Sequence, residues 1–289
     1  MPRFDESCRR QTLRLLQEAA EEDGLDLTTR SFSEQTPVVA AKIRAKEEGV
    51  FAGGPALALG AKLYGLRVEL KKKEGTLLAP GKEVATLWGR AGQLFSAERP
   101  LLNILGRLCG IATLTKQYVE AFRPVRVYDT RKTLPGWRSL EKYAVRVGGG
   151  SNHRLGLHDQ LLFKDNHLRL WGTERLAEAV TLARRKWPGL GIEVEAQSWE
   201  DLKQAVAVKP DLIMLDNWRC SELPRAVEFV REELGDAVQI EVSGGVKLED
   251  ANFLRALSID RVAVGALTHS ARSLDLSLEV VGSGAPEGK

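Results

Sequence analysis

In the stretch DTRKTLPGWR, which starts at Asp129, three basic side chains crowd one Pro-Gly turn: Arg131, Lys132 and Arg138. The neighbouring runs GGGSNHRLGLHD and LLFKDNH add His153, Arg154, His158, Lys164 and His167. From Asp129 to His167 there are seven Lys and Arg against four Asp and Glu, with three of the four His, although the net charge of the chain is only +3. Cations held together away from water without a counter-charge are costly, so the cluster points to an anionic ligand. Further on, IEVE ends at Glu195 and IMLD at Asp216. Carboxylates on adjacent strand ends can share a hard cation such as Mg2+. Ser243, Gly244 and Gly245 in VSGG, and Gly265 in VGA, offer close backbone approach and free N–H groups suited to a phosphate; His269 follows closely. Together these residues imply a substrate with several anionic groups, one of them a diphosphate.

Other polar residues have plainer readings. Lys142 and Arg146, in SLEKYAVRV, read as solvated or ion-paired. His158 lies beside Asp159 in a loop, and Asp165 and Asn166 suit a turn cap. Glu193 is expected to face the helix layer, away from Glu195. Arg138, past the turn at a helix start, can serve either the substrate or the fold.

The elements that must carry these residues change texture along the chain. DESCRRQTLRLLQEAAEED has helical spacing, with Leu13, Leu16 and Ala20 as its apolar stripe and Gly24 as its stop. VVAAKIRAKEEG, RVELKKKEG and ATLWGRAGQLFSAE read as strands. ERPLLNILGRLCGIATLTKQYVEAF reads as a long helix with Pro100 in its first turn. After about residue 124, short β-branched runs (VRVYDT, LLFKDN, GIEVEA, LIMLDN, VQIEVSGG, RVAVGA) alternate with helical patterns. Such a βα repeat implies a parallel sheet or barrel, whose sites lie at the carboxyl ends of the strands. The candidate residues fall there in order. The repeat is too short for a complete eightfold barrel of roughly 250 residues, so an open six- or seven-stranded α/β barrel fits best. An open doubly wound sheet competes with it.

The 289 residues suggest two domains, and 43% hydrophobic content suffices for real cores. No apolar run approaches the roughly 20 residues of a membrane helix, and the first residues are too charged for a signal peptide. Three scattered cysteines without CxxC suit reduced thiols in the cytoplasm. The net charge is too small to argue for nucleic acid, and the basic residues are not interleaved with aromatics as an RNA-stacking platform needs. A barrel aldolase or lyase using Lys164 as a Schiff-base amine would want that lysine in apolar surroundings; here it is expected to lie among Arg, His and Asp.

TRKTLPGWRSLEKYAVRVGGGSNHRLGLHDQLLFKDNH closely resembles the signature region of quinolinate phosphoribosyltransferases, also called nicotinate-nucleotide pyrophosphorylases (carboxylating). The resemblance extends to ERPLLNILGRLCGIATLT, IEVEAQ, IMLDN, VSGG and VGALTHSA, nearly the whole chain; Trp137, Pro100 and Gln197 depart from the usual pattern or fall where it varies. It implies an N-terminal α/β sandwich domain over residues 1–110, on which the tail 272–289 packs, and an incomplete α/β barrel over 111–271. It implies transfer from 5-phosphoribosyl-1-diphosphate (PRPP) to quinolinate with Mg2+ and no organic cofactor, giving nicotinate mononucleotide, diphosphate and CO2 for NAD synthesis. By that resemblance Arg131, Lys132, His153, Arg154 and Lys164 match quinolinate-side positions, and Glu195 and Asp216 the PRPP–Mg2+ side, directly or through PRPP-bound metal. Lys132, Lys164, Glu195 and Asp216 are the catalytic candidates among these. Ser243, Gly244, Gly245 and Gly265, with His269 nearby, match phosphate contacts. Arg99 matches an arginine lent to the partner's site in a homodimer, with assembly beyond the dimer left open. Neither nucleic acid nor membrane is implied as a partner.

Overall fold

The computed structural model describes residues 2–32 and 35–283. Its elements begin with α1 (Glu6–Asp23), α2 (Leu27–Phe32), β1 (Val38–Ala45), β2 (Gly49–Val50), α3 (Gly54–Leu63), β3 (Arg67–Leu70), β4 (Leu77–Leu78), β5 (Glu83–Arg90) and α4 (Ala91–Phe122). They continue with β6 (Arg126–Tyr128), α5 (Arg138–Val147), β7 (Leu161–Phe163), α6 (Asp165–Trp171), α7 (Leu176–Lys186), β8 (Ile192–Ala196), α8 (Trp199–Ala207) and β9 (Leu212–Asp216). The last are α9 (Leu223–Leu234), β10 (Gln239–Ser243), α10 (Ala251–Leu254), β11 (Arg261–Ala263), α11 (Ala266–His269) and β12 (Leu276–Ser283). The chain forms two compact units: one of residues up to 116, 133–149 and 267 onward, the other of 117–132 and 150–266.

The first unit is built on an antiparallel sheet of order β12-β1-β5-β3. In β1 alternate residues Val39, Ala41, Ile43 and Ala45 are buried, as a strand with one covered face requires. The chain's end returns to this sheet: β12 runs antiparallel to β1, with Leu276 opposite Ala45. Residues 284–289 of the expected packing tail lie outside the described residues. Helix α1 starts where Asp5 Oδ1 accepts the Cys8 N–H at 2.9 Å, and stops at Gly24, whose φ of +63° suits a residue without Cβ. Its buried face is Cys8, Thr12 and Leu16; of the expected stripe, only Leu16 is buried.

Helix α4 begins earlier than its sequence suggests. The strand β5 ends at Arg90 and the helix starts at Ala91, so GQLFSAE is helical rather than extended and Pro100 stands inside the helix instead of in its first turn. Burial of Leu94, Ala97, Leu101 and Leu102 around the proline supplies the packing that outweighs one missing N–H. The segment leading to β12 lies against α4, where Leu274 N–H donates to the Gly106 carbonyl at 2.9 Å. A Cβ at Gly110 would stand 1.9 Å from the Arg272 carbonyl oxygen, a backbone atom with little room to move. Gly110→Ala should therefore cost about 1–3 kcal/mol of stability through overpacking. Thermal unfolding checks this, and an unchanged midpoint would show that the 272–274 segment does not depend on this close approach.

The second unit carries a parallel sheet of six strands in the order β6-β11-β10-β9-β8-β7. That is the cyclic order of a barrel opened between its first two strands, which lie at opposite edges: the incomplete α/β barrel. Both faces are covered in the middle, so every residue of β8 is buried. Helix α6 follows β7 directly and was not evident from the pattern, being only seven residues of mixed polarity. Among the described residues no helix is long and apolar enough to cross a membrane.

Candidate functional site

The carboxyl ends of the barrel strands present the candidate residues in chain order. β6 leads into Arg131 and Lys132, β7 into Lys164, β8 carries Glu195, β9 ends at Asp216, β10 at Ser243, and β11 leads into Gly265. Register places Ser243 opposite Asp216. Parallel pairing thus delivers residues more than a hundred positions apart to one rim.

On the cationic side, Arg131 and Arg154 lie close enough to repel. The Arg154 guanidinium loses proton affinity first through burial and then through the charge of Arg131. Arg131 Nε is buried without a hydrogen-bond partner. A buried donor left unmade is unfavourable, and two like charges side by side more so. Both penalties vanish when a carboxylate lies between them. Lys132 is exposed, its N–H donating to Thr130 Oγ1 at 3.0 Å.

His153 has both ring nitrogens engaged. Its Nδ1 accepts the Arg154 backbone N–H at 2.8 Å, which places the ring proton on Nε2, facing Glu193 Oε2 at 3.0 Å. Its backbone N–H donates to Asp129 Oδ1 at 2.8 Å, and Asn152 Nδ2 donates to Asp129 Oδ2 at 2.6 Å. The ring thus holds the Arg154 backbone in place.

On the anionic side, Lys164 Nζ lies 2.5 Å from Glu195 Oε2. Gln197 Nε2 donates to Glu195 Oε1 at 3.0 Å and to Asp216 Oδ2 at 3.2 Å, bridging the two carboxylates; Asn217 Nδ2 also donates to Asp216 Oδ2, at 2.7 Å. Two hard oxygens on adjacent strand ends fit Mg2+, with a difference between them. Glu195 is buried and already neutralised by Lys164, whereas Asp216 is half-buried and receives only neutral amides. Gln197 was missed as a site residue because nothing in IEVEAQ marks its amide as a bridge.

The β9 and β10 ends are locked together. Asn217, itself at φ +59°, donates its N–H to the Ser243 carbonyl at 3.0 Å. Gly244 has φ +93°, and a Cβ there would lie 2.6 Å from Asn217 N, so only glycine fits. Gly245 is exposed, and Ser243 and Gly265 half-buried.

Three further basic side chains belong to the first unit. Arg99 is exposed on α4 and pairs with its chain neighbour Glu98 at 2.8 Å. His269 is exposed, its Nδ1 2.7 Å from Ser270 Oγ. Arg138 opens α5 and donates to Thr133 Oγ1 at 3.1 Å, a fold-level contact. His158 is exposed beside Asp159, and Asp165 begins α6, 3.6 Å from Arg169. Lys142, expected to be solvated or ion-paired, is fully buried and so not solvated, in a helix whose residues 140–145 are all buried.

Glu193 does not face the helix layer. Residues i and i+2 of a strand share a face, so Glu193 points the same way as Glu195, into the barrel. There it meets His153, Arg261 and Glu241, all buried. The Glu241 carboxyl is pushed up to about 7, first by burial and then by the charge of Glu193, against the pull of Arg261. The folded protein therefore keeps a proton that the unfolded chain releases near 4.5, and stability falls as pH rises from there to about 7. Glu241→Gln removes this proton exchange, so its melting temperature should decline less than the parent's between about pH 5 and about pH 8. Parallel melting curves would contradict this.

Comparison with known proteins matches two family models: quinolinate phosphoribosyl transferase, C-terminal domain, over residues 111–279, and quinolinate phosphoribosyl transferase, N-terminal domain, over residues 26–109. A probable nicotinate-nucleotide pyrophosphorylase (carboxylating) of Bacillus subtilis (strain 168) is 41% identical over 261 residues, covering 88% of each chain. The nicotinate-nucleotide pyrophosphorylase (carboxylating) of Mycobacterium leprae (strain TN) is 41% identical over 263 residues, covering 89% of this chain and 92% of the relative. Among solved structures, NadC from Streptococcus pyogenes superposes with a TM-score of 0.84 at 35% identity, covering 94% of this chain and 98% of that one.

Proposed function

The chain belongs to the quinolinate phosphoribosyltransferase family, and from that membership we propose that its barrel rim joins quinolinate to PRPP with loss of CO2, giving nicotinate mononucleotide and diphosphate. The observation that carries this reading is the crowding of Arg131 and Arg154, with a buried Nε left without a partner. Adjacent carboxylates on a pyridine ring match two guanidinium forks set side by side.

In this reading Arg131 and Arg154 hold the two carboxylates, His153 holds Arg154, and Lys132 and Lys164 add positive charge at the rim. Glu195 fixes Lys164 by their 2.5 Å contact. Backbone N–H groups around Ser243, Gly244, Gly245 and Gly265 receive phosphate oxygens, with His269 as a further candidate contact. Asp216, with Glu195 behind it, would hold Mg2+, directly or through PRPP; the metal, when bound, neutralises charge on the departing diphosphate. The pyridine nitrogen attacks ribose C1 as the C1–O bond to diphosphate breaks. The ring nitrogen is then cationic, so the electron pair of the bond to the departing CO2 can stay on ring carbon C2, which takes a proton. No side chain becomes a covalent nucleophile: the protein orients and screens charge. Lys164, an ammonium against a carboxylate, is the opposite of a desolvated Schiff-base amine.

The test is CO2 release from carboxyl-labelled quinolinate. One CO2 should appear per nicotinate mononucleotide, only with PRPP and Mg2+ present. No release under those conditions sinks the assignment.

We also propose that the protein works as a homodimer in the cytoplasm. The unpaired edge at β7 borders a cavity of ≈ 700 Å³ lined by Leu157, Phe163, Leu168, Trp171 and Trp187. An apolar face at an open barrel edge calls for a cover, and a second copy is the family-consistent one. Arg99, exposed and bound to its neighbour Glu98, is the candidate to reach the partner's site. Mixing inactive Arg99→Ala and Lys164→Ala subunits should then regenerate activity in hybrids; hybrids shown to form yet inactive would exclude the exchange. The three free thiols suit a reducing compartment, and cell fractionation checks the location.

A further inference from the structure

Below the rim lies a buried charge network that the transfer chemistry does not use directly. His153 stands between α5 and β7, while Glu193, Glu241 and Arg261 come from β8, β10 and β11; all four are buried. Arg261 Nε lies 2.6 Å from Glu241 Oε2 and its Nη2 3.9 Å from Glu193 Oε2, while its guanidinium sits over the Tyr128 ring at 4.5 Å. Glu193 Oε2 is 3.0 Å from His153 Nε2 and accepts from Gln160 Nε2, also at 3.0 Å. Both of those neighbours go on to Arg154. His153 Nδ1 accepts the Arg154 backbone N–H, and the Gln160 carbonyl accepts from Arg154 Nη1 at 3.2 Å.

We propose that Glu193 is a positioning residue for the pyridine dicarboxylate: through His153 it fixes the backbone of Arg154, and through Gln160 it fixes the guanidinium. Arg261 is the cation that lets Glu193 and Glu241 lie buried side by side. The inference rests on Arg154 being a quinolinate contact. An arginine side chain has many rotamers, and a bidentate fork is useful only when held at one angle, which is the work of its supporting hydrogen bonds. Glu193 suits that work because every polar neighbour it meets, except Glu241, is a donor. The same His153, Glu193 and Glu241 set has the residue types of a metal site. Arg261, however, already supplies the positive charge between the carboxylates, and His153 Nε2 carries its proton rather than a free lone pair.

The test compares steady-state kinetics of Glu193→Gln, Gln160→Leu and Arg154→Ala, with thermal melts alongside. An amide at position 193 sets an N–H against one of the two donors that the carboxylate serves. Glu193→Gln and Gln160→Leu should raise the quinolinate KM roughly tenfold, while the PRPP KM moves by less than about twofold. A loss of general stability has no reason to separate the two substrates in this way. An unchanged quinolinate KM in both variants, or an equal rise in both KM values, overturns the proposal. Should Glu193→Gln fail to fold, Gln160→Leu decides, since Gln160 is only half-buried. Arg154→Ala separates the layers. If it leaves the quinolinate KM unchanged, the site assignment falls and the inference with it. If it raises that KM and the two supporting variants do not, the inference alone fails.

Discussion

Arg154→Ala is expected to weaken quinolinate binding about 100-fold or more and PRPP binding by less than about threefold, because a buried charge-assisted pair that loses one partner costs a few kcal/mol. The asymmetry follows from where Arg154 sits. Its supports, His153 and Gln160, belong to the segment between α5 and β7, on the cationic side, while the phosphate-suited glycines Gly244 and Gly245 follow β10. Arg154→Lys should not restore affinity, since one ammonium cannot reproduce a planar fork. The free protein behaves in the opposite sense. Arg131 and Arg154 repel each other, so Arg154→Met, which keeps much of the apolar stem, should melt no lower than the parent without ligand. Stability given up to hold two like charges together is what a preformed anion site requires. Separate titrations with quinolinate and PRPP decide the point: equal losses for both substrates would mean that Arg154 supports the rim as a whole.

Strand ends were the most legible part of the sequence. A parallel strand buried on both faces reads as an apolar run, so the first polar residue after it marks the rim. Lys164 after β7 and Asp216 at the end of β9 follow that rule, whereas Arg131 comes after Asp129 and Thr130, and Ser243 ends a strand that already carries Glu241. The expected open barrel of six or seven strands is a six-stranded sheet with β6 and β7 at opposite edges. The supporting layer was less legible. Gln160 precedes β7, while Glu193, Glu241 and Arg261 lie on β8, β10 and β11, and only the order of the parallel sheet brings these residues into one network. Glu193 was readable in principle, since period-two alternation puts it on the same face as Glu195, yet a second buried carboxylate makes sense only once Arg261 is seen beside it. Pro100 shows the limit of local rules: by itself it marks a helix start, but burial of residues on both sides of it carries the helix through. Lys142 shows the same limit for charge, because the helical pattern around it does not reveal that its face is covered.

Asp216→Asn should lower turnover by roughly two to three orders of magnitude while the quinolinate KM stays within about threefold. The two rim carboxylates look alike in sequence but stand in different surroundings. Glu195 is 3% exposed and its charge is balanced by Lys164 at 2.5 Å, so removing its charge strands the lysine and disturbs both substrates. Asp216 is half-buried and receives hydrogen bonds from Gln197 and Asn217, neutral amides that leave its charge uncompensated. An uncompensated carboxylate at a strand end is the one suited to a hard cation arriving with a diphosphate. Asn at 216 keeps one oxygen that can accept from the two amides, so the fold should survive while the charge is lost. The diagnostic is the metal dependence. The variant should need a higher Mg2+ concentration for half-maximal rate, and Glu195→Gln should differ from it by also raising the quinolinate KM. Normal turnover of Asp216→Asn at limiting Mg2+ would remove Asp216 from the metal side, leaving Glu195 and Lys164 as a charge pair that serves only to order the rim.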